Sequence, residues 1–346
     1  MNVLLYAGSK KLVSKSGVGM ARSHQEEALK QNGVVFTENP NEDYDVVHIN
    51  TVFPTSYLMA KRAKREGKKV ICHGHSTMED FRNSFVGSNA MAPLFKKWII
   101  KCYDTADLVL TPTEYSRRIL KSYGLKAPIL PISNGIDTDA FRKQPGQRER
   151  FRRRYGLKEG EKAVVSVGLP IERKGILDFI QMALRFPEYR FFWFGAANPL
   201  LIPKEIKRAI REAPKNVSFP GYVGREELLD VYGGADLFLF LSKEETEGIV
   251  VLEALAMEIP VLLRDIPVYD GWIHDGKEAY RRKGFDKLAQ AAEEILDGKL
   301  PDLSANGRKL AESRNLKITG QRLASIYRGL YNEEVSTTKR QFAVYR

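Results

Sequence analysis

Continuous apolar runs of strand length punctuate the first half of the chain at 3–6, 34–37, 46–49, 70–73, 108–111 and 129–132. Short runs that are apolar on consecutive positions are the pattern of strands buried on both faces. Between them, 19–31, 55–65 and 93–103 carry apolar residues at helical spacing. Strand and helix in alternation predict a doubly wound parallel sheet. After 132 the alternation lapses. Residues 142–154 are polar and basic, contain Pro145 and Gly146 and hold no apolar run, so a domain linker is expected near their end.

The rhythm resumes at Ala163. Strands are predicted at 164–167, 190–194, 217–219, 237–241 and 261–263, with helices at 175–184, 204–212, 225–232, 248–257 and 286–296. The chain therefore reads as two α/β domains in tandem, over 1–155 and 156–320. Ligands of such sheets bind beyond the carboxyl ends of the strands, so a cleft between the two halves is the expected active site.

Composition acts mainly by exclusion. Of 346 residues, 43% are hydrophobic and 28% charged, which is a folding rather than a disordered composition. Cys72 and Cys102 are the only cysteines, too few for a disulfide scaffold and in keeping with a reducing compartment. The opening Met1-Asn2-Val3-Leu4-Leu5-Tyr6-Ala7 lacks the basic region and apolar length of a signal peptide. No segment approaches the roughly 20 apolar residues that span a bilayer. A cytoplasmic protein is expected. The net charge is +12, and 23 Lys+Arg against 15 Asp+Glu up to residue 150 put most of the excess in the first half. Such a surface suits nucleic acid, anionic lipid or solubility alone. No motif of the common nucleic-acid modules accompanies the charge, so no nucleic-acid partner is expected.

Two segments carry the strongest chemistry. In the first, the strand ending near Ser242 leads through Lys243-Glu244-Glu245-Thr246-Glu247 to Gly248 and an apolar helix. Glycine there lets a ligand approach the backbone, and the first amides, Gly248, Ile249 and Val250, would face an anion along the helix dipole. A diphosphate suits that place, and a buried Glu253 in the same helix would accept hydrogen bonds from ribose hydroxyls. A capped helix beside a surface acidic loop would show the same pattern. In the second segment, Gly168-Leu169-Pro170-Ile171-Glu172-Arg173-Lys174-Gly175, two cations stand at a helix start, where they oppose the dipole unless an anion is present. Facing a diphosphate, they would stabilise the charge on a leaving nucleotide.

Glu245 and Glu253, with seven residues between them, resemble the paired glutamates of retaining glycosyltransferase family 4, which has the GT-B fold. The surroundings are similar too: Gly221-Tyr222-Val223, Glu227, Leu228, Tyr232, Ala235-Asp236 and Ser242 before the pair. Further upstream come Ala106-Asp107-Leu108-Val109, then 113–120, then Ser133-Asn134-Gly135-Ile136-Asp137 and Phe141. The resemblance runs from Gly17 to about Pro260. It implies two Rossmann-like domains, with Glu253 on the nucleotide ribose, Glu245 by the donor sugar and Lys174 on the diphosphate. The family's usual arginine is replaced by Leu169, and Arg173 is the neighbouring cation that would compensate. His75 aligns with a histidine near the donor sugar and the reaction centre. Gly17 aligns with the glycine that lets the loop Ser14-Lys15-Ser16-Gly17-Val18-Gly19 reach donor phosphate and acceptor. Glu79 and Asp80 are candidates for acceptor hydroxyls. A last helix near 320–332, and the tail to 346, would return to the first domain.

No metal is expected. His73 and His75 share a strand face, but two ligands do not make a site and nothing is spaced to complete one. Asp137-Thr138-Asp139 mimics the metal-binding D-x-D of a different glycosyltransferase fold but lies inside the family's interdomain signature. At the membrane, 58–69 is densely basic, and 91–102 combines Leu94, Phe95, Trp98, Ile99 and Ile100 with Lys96, Lys97 and Lys101. That pattern fits a helix lying in a lipid interface and equally a helix packed on the sheet. Lys15-Ser16-Gly17-Val18-Gly19, His24-Gln25 and the run 44–51 look like bacterial enzymes that add a second hexose to monoglucosyldiacylglycerol. The resemblance thus implies a retaining, metal-independent hexosyltransferase, peripheral on the inner face of the cell membrane. Its donor would be UDP-glucose or UDP-galactose and its acceptor a glycolipid. A cell-surface polysaccharide glycosyltransferase and a nucleotide-sugar epimerase are the alternatives.

Overall fold

A computed structural model describes residues 1–9 and 16–332. The tail from 333 and the loop residues Ser14 and Lys15 lie outside the described residues. Among the described residues, packing divides the chain into two compact units: 1–9, 16–78, 93–135 and 314–332 form one, while 79–92 and 136–313 form the other.

The first unit holds a wholly parallel sheet of six strands: β1 (Val3–Tyr6), β2 (Phe36–Thr37), β3 (Val46–Ile49), β4 (Lys69–His73), β5 (Leu108–Thr111) and β6 (Ile129–Pro131). Their order is β2-β1-β3-β4-β5-β6. Alternation along the strands feeds two apolar layers. Leu4, Val47, Val70 and Val109 pack with Met59, Ala63 and Ile99 of the helices Pro54–Arg65 and Ser88–Tyr103. Val3, Leu5, Val46 and Ile71 pack with Leu29 of the helix Gly17–Gln31 and with Leu323, Ile326, Tyr327 and Leu330 of the last helix, Leu316–Tyr331. Both faces are covered, which is why most positions of these strands are apolar.

The second unit repeats the plan with β7 (Ala163–Val167), β8 (Arg190–Phe194), β9 (Val217–Gly221), β10 (Leu237–Phe240), β11 (Val261–Arg264) and β12 (Tyr280–Arg282), in the order β12-β11-β10-β7-β8-β9. Val164, Phe191, Trp193, Leu237 and Leu239 face the helices Ile176–Arg185 and Phe285–Leu296. Phe192 and Phe238 face the other way, against Phe151 and Tyr232. The strand order reverses between β7 and β10, and the carboxyl ends of those two strands are where a ligand crevice opens in this topology.

The segment expected to be a linker is instead structured. Gln147–Arg154 is a helix of the second unit, and the division between the units falls at Gly135 rather than near 155. Phe151 is its buried anchor, set so close to the helix Arg225–Gly234 that a Cβ on Gly234 would stand 2.7 Å from Phe151. Its arginines meet an acidic neighbour: Arg148 pairs with Asp236 at 2.9 Å, Arg150 with Asp230 at 2.7 Å and Arg154 with Glu227 at 2.7 Å. One apolar side chain in a basic helix leaves almost no periodic signal, which is why the pattern reads as a linker. Strand β12 and the helix Ser304–Glu312 are likewise absent from the sequence prediction.

Candidate active site

The site of the second unit is built at the carboxyl ends of β7 and β10. After β7 the chain makes a tight turn, Glu172–Lys174, and Gly175 at φ +83 starts the next helix. A Cβ on Gly175 would lie 2.2 Å from the carbonyl oxygen of Leu241, so only glycine lets this turn press against the end of β10. That contact brings Lys174 to the acidic loop, where its Nζ donates to Glu245 Oε1 at 2.5 Å. Burial pushes Lys174 down, with Glu245 opposing. For Glu245 burial acts upward, but Lys174 and Arg173 outweigh it and hold the carboxyl below its usual range, so it is ionised at neutral pH.

Arg173 sits in a socket. Its Nε donates to Ser84 Oγ at 3.0 Å, and its Nη1 donates to the Glu244 carbonyl and pairs with Asp80, each at 2.8 Å. Its carboxylate neighbour Glu245 is 4.0 Å away. The side chain is 7% exposed. Arg173 thus ties the segment 79–92 to the loop that follows β10. Asp80, expected on an acceptor, is placed against Arg173, and Glu79 is half-buried in the short helix Met78–Phe81.

Past the loop, Gly248 adopts φ +88 and the helix Ile249–Ala256 begins. Its first amides, those of Ile249 and Val250, have no acceptor within the helix itself. One turn on, Glu253 is 2% exposed and accepts a hydrogen bond from the Tyr232 hydroxyl at 2.9 Å. Burial, opposed by that bond, pushes its carboxyl up to about 7. Tyr269 is fully buried, and among the described residues its hydroxyl has no hydrogen-bond partner. The hydroxyl is 3.9 Å from where a Cβ on Gly248 would stand. An orphaned buried hydroxyl beside a helix N-terminus gives the site one more donor, one that spacing did not point to. Asp137, the first residue of the D-x-D mimic, caps the Ala140 amide at 2.9 Å and pairs with Arg225 at 2.8 Å. The structure therefore assembles Lys174, Glu245, Arg173, Asp80 and Gly248 in one place, with Glu253 farther along the same helix.

His75 and Gly17 belong to the first unit. Gly17 opens its helix, and a Cβ there would meet nothing within 4 Å, so sterics among the described residues do not require glycine. His75 follows β4 and is 7% exposed. Its ring stacks on His73 with centroids 4.1 Å apart and planes within 3°, and His73 stacks on His48 at 5.3 Å. The His75 Nε2 meets Asn50 Oδ1 at 3.2 Å. Parallel rings cannot aim their lone pairs at one point, so this column does not converge on a metal ion.

The comparisons with known proteins agree with this architecture. The model of Glycosyltransferase Family 4 matches residues 34–140, and that of Glycosyl transferases group 1 matches 147–312. The chain is 39% identical to a processive diacylglycerol alpha-glucosyltransferase of Acholeplasma laidlawii, over 94% of this chain and 98% of that one. This chain is a member of glycosyltransferase family 4. It is also 28% identical to an alpha-galactosylglucosyldiacylglycerol synthase of Streptococcus pneumoniae, over 68% of this chain and 64% of that one. Among solved structures, Anabaena HepE in complex with UDP covers 95% of this chain and 100% of its own, with TM-score 0.74 at 15% identity. A sucrose-phosphate synthase of Thermosynechococcus elongatus reaches 0.80 at 16% identity, over 96% of this chain and all of its own. At those identities the likeness establishes the fold, which is GT-B. This glycosyltransferase therefore carries its Rossmann-like units as two six-stranded parallel sheets. Among its described residues no helix is long and apolar enough to cross a membrane.

Proposed function

We propose that this glycosyltransferase moves a hexose from a UDP-sugar to a diacylglycerol glycolipid, retaining the α-configuration and using no metal. The full-length similarity to a diacylglycerol α-glucosyltransferase carries the reading and favours glucose over galactose as the sugar. The site supports it. The amides of Gly248, Ile249 and Val250 and the ammonium of Lys174 form a positive end for the departing diphosphate. Glu245 keeps Lys174 in place and lies by the donor sugar. Glu253, with Tyr232 on one oxygen, offers the other to the ribose. Arg173, with its donors committed to Asp80, Ser84 and Glu244, serves the donor by fixing the loop. His75 is the further catalytic candidate, by its place in the family's pattern. An α-linked donor giving an α-linked product requires retention, and the α-products in the relatives' names support that outcome.

The acceptor, monoglucosyldiacylglycerol or a close analogue, stays in the bilayer while the enzyme docks from the cytoplasmic side. Leu58 and Leu94 are 62% and 69% exposed. Lys61, Arg62, Lys64 and Arg65 follow the first along its helix, and Lys97 and Lys101 the second, all exposed. The deciding experiment is a panel of nucleotide sugars with a membrane lipid extract, the product read by mass and the anomer by NMR. A glucosyl unit added in α-linkage to a diacylglycerol glycolipid, in excess chelator as well as without it, is expected. Epimerised sugar released without acceptor would reject transfer, and magnesium-reversible loss in chelator would reject the metal-free reaction.

A further inference from the structure

The polar column behind His75 is directional. Asn50 Nδ2 donates to Gln25 Oε1 at 2.8 Å, which leaves Asn50 Oδ1 to face His75 Nε2. An amide oxygen only accepts, so the proton of His75 is on Nε2, and a neutral imidazole then has a bare lone pair on Nδ1. The same bond turns the Gln25 amide so that its Nε2 donates to the Tyr327 hydroxyl at 3.1 Å. His48 Nδ1 faces both the Gln25 Nε2 amide at 2.5 Å and the Tyr327 hydroxyl at 2.7 Å, and opposite an amide N–H it is an acceptor. His48 is then protonated on Nε2 and donates to His73 Nδ1 at 3.2 Å. His73 ends the chain, with Nε2 buried and unpartnered among the described residues.

We propose that Asn50 and Gln25, braced by Tyr327 and the His48–His73 stack, are positioning residues. They hold His75 as a single tautomer whose Nδ1 is a hydrogen-bond acceptor. The ring then presents an acceptor, and no proton, to a hydroxyl of the reaction. This last step rests on the function proposed above; the tautomer does not. Burial supports the assignment, since it pushes His75 down to about 3 and keeps the ring uncharged. His48 is pushed to about 3 as well, by burial first and then by His75. Stacking on His73, itself stacked on His48, also restricts rotation of His75, which is what pre-organisation of a reacting geometry requires. Tyr327 reaches this column from the last helix, so the C-terminal segment contributes to it.

The test begins on the unliganded wild-type protein. Long-range nitrogen–proton spectra of its histidines should show one pyrrole-type nitrogen, Nε2, and one bare Nδ1 for His75 from pH 5 to 8. A protonated Nδ1 would mean that both amides are turned over. That result, or a mixture of tautomers, would overturn the proposal even if glycosyl transfer is confirmed. Asn50→Leu removes the acceptor. It should lower kcat roughly ten- to a hundredfold, with the UDP-sugar KM within about twofold and the His75 signals averaged. Asn50→Asp restores an acceptor opposite Nε2 and should restore the single-tautomer spectrum. Equal losses in kcat and melting temperature for both variants, with unchanged His75 signals, would make the column merely structural and reject the positioning role.

Discussion

Glu253 illustrates how far one residue's chemistry depends on its surroundings. As the second glutamate of a spaced pair it is legible in the sequence; as a carboxyl held near neutrality by burial, with Tyr232 its hydrogen-bond donor, it is not. The shift makes a stability prediction. An unfolded glutamate titrates near 4.5, whereas the folded group titrates at about 7. The folded state thus binds the proton more tightly. The contribution is fully present below pH 4.5 and is lost as pH rises to 7, to a limit of about 3 kcal/mol. Glu253→Gln stays neutral, so its melting temperature should exceed that of the wild type at pH 8 and converge with it near pH 4. Equal gaps at both pH values would contradict the burial account. The same variant should bind UDP more weakly, because one carboxylate acceptor is lost. Tyr269 gives the complementary case. Removing an orphaned buried hydroxyl is close to neutral or stabilising, so Tyr269→Phe should hold or raise the melting temperature. A fall of more than a few degrees would show that the hydroxyl has a structural partner.

At the scale of elements, two glycines with positive φ separate strain from crowding. Gly175 and Gly248 have nearly the same φ, +83 and +88. A Cβ at Gly175 would collide with the backbone of Leu241 at 2.2 Å, while at Gly248 the nearest atom is 3.4 Å away. Gly248→Ala should cost only the left-handed strain, about 1–2 kcal/mol. Gly175→Ala should cost at least about 3 kcal/mol, because β10 or the turn must also move. Denaturant midpoints measure both, and equal losses would refute the distinction. The central strands and long helices were legible because each carries many apolar residues at one period. The helix Gln147–Arg154 was not, because Phe151 alone anchors it and its partners come from 225–236. In the helix Ser88–Tyr103 the pattern left two readings open, and the structure divides it between them. Phe95 and Trp98 pack against the core, with the Trp98 indole donating to the Val52 carbonyl at 2.6 Å, whereas Leu94 is exposed.

At the scale of the molecule, the last helix returns to the first unit. Leu323, Ile326 and Tyr327 complete one of its apolar layers, and Gly320 sits so close to Ala28 that a Cβ would lie 2.2 Å from the Ala28 carbonyl. Cutting the chain after Ser313 should expose that layer and make 1–78 and 93–135 readily proteolysed, while 79–92 and 136–313 keep their resistance. Equal resistance of both would show that the helix is dispensable. Charge is the other molecular property. At most about 1 kcal/mol per basic residue near an anionic surface, screened by salt, is enough for several residues to hold a protein on a bilayer. The protein should float with anionic vesicles at low salt, release at high salt and ignore neutral ones. Replacing Lys96, Lys97 and Lys101 by Glu should weaken flotation. Binding unchanged by that replacement would reject this helix as the contact.

Apolar period, turn residues and a few spaced motifs determined the class of fold, the places of the central strands, and the family. Each of these is encoded locally, within one element or the loop beside it. Tertiary structure alone decided which partners those residues meet. Arg173 stands in the sequence as a spare cation for a diphosphate, yet folding seats it on Asp80, Ser84 and Glu244, some 70 to 90 positions away. His75 meets Asn50, whose amide is turned by Gln25 and braced through Tyr327 and His48, which come from a helix, the far end of the chain and a strand. Hydrogen bonds and burial act over a few ångströms of space, and no spacing along the chain specifies which distant side chain will occupy them.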